Sequence, residues 1–135
     1  MKLVLDADIL IGALDGSDSH HDRARDLFLE WREQQAARLI SVVNLSEVLV
    51  GPGSDPERLR AAREAIAALG VEVHRPGEAI GVRAARLRGR HPISLPDAYC
   101  LATAGSVGGT VASFDRKVLR AAEAERLPVA PTIAE

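Results

Sequence analysis

A chain of 135 residues, 47% hydrophobic and 27% charged, has room for one hydrophobic core and is too apolar to be disordered. Its apolar runs fall short of the ~20 residues that a membrane span needs, and acids at positions 6 and 8 interrupt the stretch in which a signal peptide would carry its apolar centre, so a cytoplasmic protein is expected. The net charge of −2 supplies no global attraction for nucleic acid, and the single cysteine, Cys100, lying in an apolar run, excludes an internal disulfide and reads as a buried, inert thiol.

In chain order, Leu3-Val4-Leu5 reads as a buried strand that ends at Asp6, with Asp8 following and Ile9-Leu10-Ile11 opening a helix. An Asp between strand and helix is by default a cap, accepting orphan amide hydrogens at the positive end of the helix dipole. Gly16 to Ser19 is turn-like, and Asp18 or Ser19 can cap a helix from about 20 to 35 whose Ala24, Leu27, Phe28 and Trp31 form one buried face. The His20-His21 pair has no Cys or third His at ligand spacing and is read as exposed first-turn residues.

Residues 39–43 form a second, near-continuously apolar strand, after which Asn44 and Ser46 are natural caps and Glu47 begins a helix to Gly51. An amphipathic helix spans Pro56 to Leu69 and stops at Gly70. A third strand, Val71 to Val73, leads into His74-Arg75-Pro76 and carries no acid at its tip. Glu78 to Arg90 is helical, with Arg83, Arg86 and Arg90 on one face. Ser94-Leu95-Pro96-Asp97 opens a helix whose body, Ala98 to Ala104, is uncharged. Thr110 to Phe114 is a fourth strand ended by Asp115, Arg116 to Glu125 is helical, and Pro128 to Ile133 adds a short edge strand. Strands alternating with helices predict a single-domain, three-layer α/β/α sandwich with a central parallel sheet of four to five strands.

In a parallel sheet every strand points the same way, so acids placed just after separate strands meet at one edge, where such sheets bind ligands. Asp6, Glu47 and Asp115 occupy such positions, and Asp97 joins them if its helix starts at that edge. Asp18, Asp55 and Glu78 cap helices in polar turns, whereas Asp6, Glu47 and Asp97 adjoin charge-free apolar segments, where a carboxylate is either buried at a desolvation cost or faces a cleft. For Asp97 a capping box with Ser94 competes with a functional role. Clustered carboxylates need a cation, and an all-oxygen donor set without Cys or His calls for a hard ion, Mg2+ or Mn2+, suited to phosphodiester hydrolysis. Ser113 can hold a water or phosphate oxygen with its hydroxyl.

The segments Val4-Leu5-Asp6-Ala7-Asp8-Ile9-Leu10, Asn44-Leu45-Ser46-Glu47, Ser94-Leu95-Pro96-Asp97-Ala98 and Ser113-Phe114-Asp115, in that order, resemble the PIN-domain nucleases, and the length resembles the VapC-type toxins of bacterial toxin–antitoxin pairs. The resemblance covers essentially the whole chain. It implies a PIN-like fold and a metal-dependent endoribonuclease with Asp6, Glu47, Asp97 and Asp115 around the ion, a homodimer, and inhibition by a VapB-like antitoxin that occludes the acidic pocket. Asp8 stands where the family usually has a small polar residue and is taken as auxiliary with Ser46 and Ser113. Where the family often carries an aromatic after its last acid, Val118-Leu119 stands instead.

RNA approaching an acidic pocket needs nearby cations, and Arg83, Arg86, Arg90, His91, Arg116 and Lys117 are the candidates. With two Phe, one Trp and one Tyr there is little for broad single-strand stacking, which favours a structured RNA. A haloacid-dehalogenase-like phosphatase shares the Asp6-x-Asp8 pattern but needs a Lys and a later acidic pair, and Lys117 is the only interior lysine. A non-catalytic PIN-like module that binds RNA or protein is the remaining alternative.

Overall fold

Leu3, Val4 and Leu5 are completely buried, as a strand covered on both faces must be, and they form the central strand β1 (Lys2–Leu5). The computed structural model describes residues 1–131. Around β1 lie β2 (Ala37–Ser41), β3 (Val71–His74), β4 (Thr110–Ala112) and β5 (Val129–Ala130), all parallel and in the order β3-β2-β1-β4-β5. Side-chain alternation along β1 divides the interior. Leu3 and Leu5 pack beneath α1 (Ala7–Leu14), α2 (His21–Glu33), α3 (Val42–Leu49) and α4 (Pro56–Ala68), whereas Val4 packs with α5 (Glu78–Arg90), α6 (Leu95–Val107) and α7 (Arg116–Ala124). The result is the three-layer sandwich expected from the alternation of strands and helices. Among the described residues no helix is long and apolar enough to cross a membrane.

Local capping chemistry explains where the elements depart from the sequence expectation. The second strand stops at Ser41 rather than Val43, because the Ser41 hydroxyl accepts the Val43 amide at 3.3 Å and starts α3 at Val42, five residues before Glu47. Asn44 and Ser46 are therefore inside α3, not caps, and Glu47 lies toward its end. Neither Asp18 nor Ser19 caps α2. The N-cap is His20, whose amide is held by Asp18 at 2.8 Å. The fourth strand stops at Ala112, two residues short of expectation, and β5 covers only Val129–Ala130, with residues 132–133 of the expected strand outside the described part. α5 spans the predicted Glu78–Arg90, and Gly70, in the left-handed region at φ +72°, ends α4 as expected.

α2 packs closely on α1 at Gly12. His21 Nδ1 lies 2.8 Å from the Gly12 carbonyl oxygen. A Cβ at Gly12 would stand 3.3 Å from Ala24 Cβ and 3.5 Å from the His20 carbonyl oxygen. Gly12→Leu should accordingly lower stability by about 1–3 kcal/mol through overpacking, or about 4–12 °C in Tm. Gly16→Ala, with nothing within 4 Å, should shift it by less than about 2 °C. Equal Tm values for the two variants would show that the α1–α2 contact yields freely.

Candidate active site

β1 and β4 are neighbours, and their ends deliver the first part of the site. Asp6, with 5% of its surface exposed, caps α1: its Oδ1 accepts the Ala7 amide at 2.8 Å and its Oδ2 accepts the Ser113 hydroxyl at 2.8 Å. The Asp6 amide donates to the Ala112 carbonyl oxygen at 2.8 Å, closing the ladder between the two strands. Asp8, two residues on, accepts the Phe114 amide at 3.0 Å through Oδ2, which also lies 3.3 Å from Ser113 Oγ. Ser113 Oγ accepts the Asp115 amide at 3.0 Å. One hydroxyl hydrogen thus faces two carboxylates and can satisfy only one at a time. Ser113 is completely buried and fully engaged, so it braces the acids and has no free hydroxyl for a water or phosphate oxygen, contrary to expectation.

The other acids arrive from helix starts and from α3. Asp97 forms the capping box with Ser94, the Ser94 amide donating to Asp97 Oδ2 at 3.1 Å and the Asp97 amide to Ser94 Oγ at 3.2 Å. Asp115 caps α7 through the Lys117 amide at 2.9 Å. Glu47 is one turn beyond Asn44, whose amide nitrogen donates to Glu47 Oε1 at 3.3 Å and to the Pro96 carbonyl oxygen at 3.0 Å. Asn44 is completely buried and ties α3 to the first turn of α6, a role that its standing as a potential cap concealed. Ser46 is exposed and donates back to the Val42 carbonyl oxygen at 2.9 Å, within its own helix.

Burial and the neighbouring acids raise Asp6, Asp8 and Glu47 above their ordinary range. Asp6 is pushed from 3.8 to about 8, mainly by burial and then by Asp8, with Asp97 adding and the Ser113 and Ala7 hydrogen bonds opposing. Asp8 is pushed to about 6 by burial, opposed by the Phe114 amide and Ser113, with Asp115 raising it and His20 lowering it. Burial also raises Glu47, opposed by Asn44, while Asp97 adds to the rise. The Cys100 thiol beneath them donates to the Val4 carbonyl oxygen at 3.8 Å and is raised well above its usual range by burial and by Asp6, Asp8, Asp97 and Glu47. Asp8 and Asp97 thus act on Asp6, Asp115 on Asp8, and Asp97 on Glu47, which links the acids pairwise along one edge.

The donor chemistry fits a hard divalent ion. All the acids offer oxygen, and Asp8 Oδ1 and Asn44 Oδ1 are buried without a hydrogen-bond partner. Among the described residues no three His, Cys, Asp or Glu side chains stand together as a group that could hold a metal ion. An ion at this edge would therefore take only one or two carboxylates directly and keep several waters, as Mg2+ can.

The six basic candidates do not act as one face. Arg90 grips both carboxylate oxygens of Glu125, at 2.9 and 3.3 Å, and His91 Nε2 lies 2.6 Å from the same carboxylate. Arg83 lies against Gly105, in the last turns of α6, about 12 Å along the helix from Asp97. Arg86 is exposed on α5. Arg116 and Lys117 are exposed in the first turn of α7, beside Asp115. Lys117 and Arg120 line a groove of about 320 Å3 with His91. Across the site, an apolar groove of about 650 Å3 between α1, α3 and α4, lined by Ile11, Leu14, Val48 and Val50, has Glu47 on its rim.

Residues 3–124 match the PIN domain family, and the chain belongs to it. Among solved structures the fold is shared with a Mycobacterium tuberculosis VapC20 toxin described as cleaving the sarcin–ricin loop, with TM-score 0.72 and 19% identity over 88% of this chain and 94% of that one. VapBC-1 of nontypeable Haemophilus influenzae matches with TM-score 0.71 and 18% identity over 96% of both chains. A toxin–antitoxin complex from Klebsiella pneumoniae matches with TM-score 0.69 and 25% identity over 87% and 89%. No curated protein sequence gives a significant match.

Because the folded-state pKa values of Asp6 and Asp8 lie above the unfolded values, protonation favours the folded state, and their contribution to stability is full below about pH 4 and is lost as pH rises toward about 8. In EDTA, Tm should fall between pH 5 and pH 8, and Asp6→Asn should flatten the fall and gain about 4 °C or more at pH 8. Excess Mg2+ should restore the wild-type Tm at pH 8 by binding the folded state. A Tm in EDTA that rises over this interval, or that Asp6→Asn leaves unchanged, contradicts this electrostatic account.

Proposed function

We propose that this PIN-domain chain is an Mg2+- or Mn2+-dependent endoribonuclease that hydrolyses RNA phosphodiester bonds, and that it is the toxin of a type II toxin–antitoxin pair. The observation that carries the proposal is the carboxylate group at the sheet edge: Asp6 and Asp8 share the Ser113 hydroxyl, with Asp97, Asp115 and Glu47 close enough to perturb them or one another. No purely structural need accounts for so much repulsion in one place, whereas a divalent ion offsets it.

Asp6, Glu47, Asp97 and Asp115 would hold the ion, directly or through its waters. When bound, the ion lowers the pKa of an attacking water and neutralises charge on the phosphate oxygens. Ser113 and the Ala7 amide fix Asp6, so its carboxylate needs no reorganisation when the phosphate arrives. Asp8 keeps Oδ2 on the Phe114 amide and Oδ1 buried without a partner, which leaves an oxygen acceptor beside Asp6. Asn44 holds Glu47 in register with the α6 start. Arg116 and Lys117 offset the negative field for an incoming phosphate.

A protein partner is supported by the apolar groove between α1, α3 and α4. It leaves Val50 75% exposed and runs up to Glu47, so an antitoxin segment docked there would reach the acids. The proposal includes homodimerisation, consistent with exposed Val82 on α5 and Leu95 on α6.

Purified protein incubated with total RNA and Mg2+ should give discrete cuts that EDTA abolishes. Asp6→Asn and Asp97→Asn should each reduce cleavage by about 100-fold or more. RNA bound without turnover, or phosphate released from small phosphomonoesters instead, would overturn the assignment.

A further inference from the structure

The His20-His21 pair divides into two different jobs. His21 turns its ring onto the Gly12 carbonyl oxygen and fastens α2 to α1. His20 turns the other way: its imidazole stacks on Phe114 with ring centroids 4.4 Å apart and planes inclined by 11°. That is close to parallel stacking, yet the His20 side chain keeps 48% of its surface exposed. One turn further along α2, the Arg23 guanidinium lies 5.8 Å from the Phe114 centroid, within cation–π range.

This stack is built into the acidic edge. The Phe114 amide donates to Asp8 Oδ2 at 3.0 Å, and Phe114 lies between Ser113, which holds Asp6, and Asp115. A planar group laid on the open side of the stack would therefore sit beside the carboxylates. The imidazole makes no capping bond for α2 and lies outside both hydrophobic clusters; besides the stack, its Nδ1 stands 3.7 Å from Asp18 Oδ1.

We propose that His20 and Phe114, rimmed by Arg23, form a stacking platform for one unpaired nucleobase of the RNA, next to the phosphate being cut. The proposal rests on the ribonuclease assignment and adds to it where the strand is gripped. A base stacks by its π face, whatever its identity, while a guanidinium at the rim attracts its phosphate. Such a platform needs the base out of its helix, so cutting should favour loops and unpaired positions.

The probes are fluorescein-labelled decamers of oligoadenylate and of an abasic ribose-phosphate chain, with binding read by anisotropy in EDTA. Wild type should bind the oligoadenylate more tightly than the abasic chain. His20→Ala should weaken oligoadenylate binding by about 5- to 150-fold, the range expected for one stacked base, and leave abasic binding unchanged. His20→Phe should retain wild-type affinity, and His20→Lys should lose it. The platform is overturned if His20→Ala binds oligoadenylate like wild type, if both decamers weaken equally, or if Lys rescues and Phe does not, which would make His20 a phosphate contact. Mg2+ and total RNA added to the same preparations separate the two ideas. Cutting with no effect of His20 on binding keeps the nuclease and removes the platform, whereas base-dependent binding without cutting does the reverse.

Discussion

One serine hydroxyl with carboxylates on two sides is the contact on which the architecture of the edge depends. The Ser113 amide still donates to the Ala130 carbonyl oxygen at 3.1 Å, while its hydroxyl reaches Asp6 and Asp8, which come from the end of β1 and the first turn of α1. Just beyond β4 the Phe114 amide donates to Asp8 and Asp115 stands at the head of α7. Segments more than a hundred residues apart in sequence are thereby locked at hydrogen-bond distances, and the parallel sheet beneath supplies the common direction that makes the meeting possible.

Much of this is legible in the amino-acid sequence alone. The uniform burial of Leu3-Val4-Leu5, the stop at Asp6, the α5 limits and the Ser94–Asp97 box follow from period, propensity and capping, which act within a few residues of one another. The errors share one cause, a side chain making its bond elsewhere than residue type suggested. Ser41 took the cap expected of Asn44, and Asn44 turned its amide to Glu47 and a carbonyl fifty-two residues away. Arg83, Arg86 and Arg90 are on one helical face by spacing, yet Arg90 is consumed by Glu125 and Arg83 lies over Gly105. A stripe of like charge read from helical period says where side chains emerge, not what they meet. The aromatic count missed the site-edge stack because half of it is an imidazole.

Asp97 illustrates why a cap and a functional acid are poor alternatives. Its carboxylate closes the capping box through Oδ2 and raises Asp6 and Glu47 through space. The helix start that needs an acceptor is also at the carboxyl edge of the sheet, so the cap leaves Asp97 among the other acids. Asp8 has a structural task as well, because its Oδ2 accepts the Phe114 amide and ties α1 to the segment after β4.

Cys100 follows from the same arrangement. Its sulfur is enclosed in the core and lies under four carboxyls that disfavour a thiolate. Peroxides and alkylating reagents attack the anion and need access, so they can mark this thiol only while the layers come apart. The lone thiol thus makes a native spectator that reports breathing of the sandwich, and oxidants that silence thiol-dependent enzymes should leave the closed fold untouched.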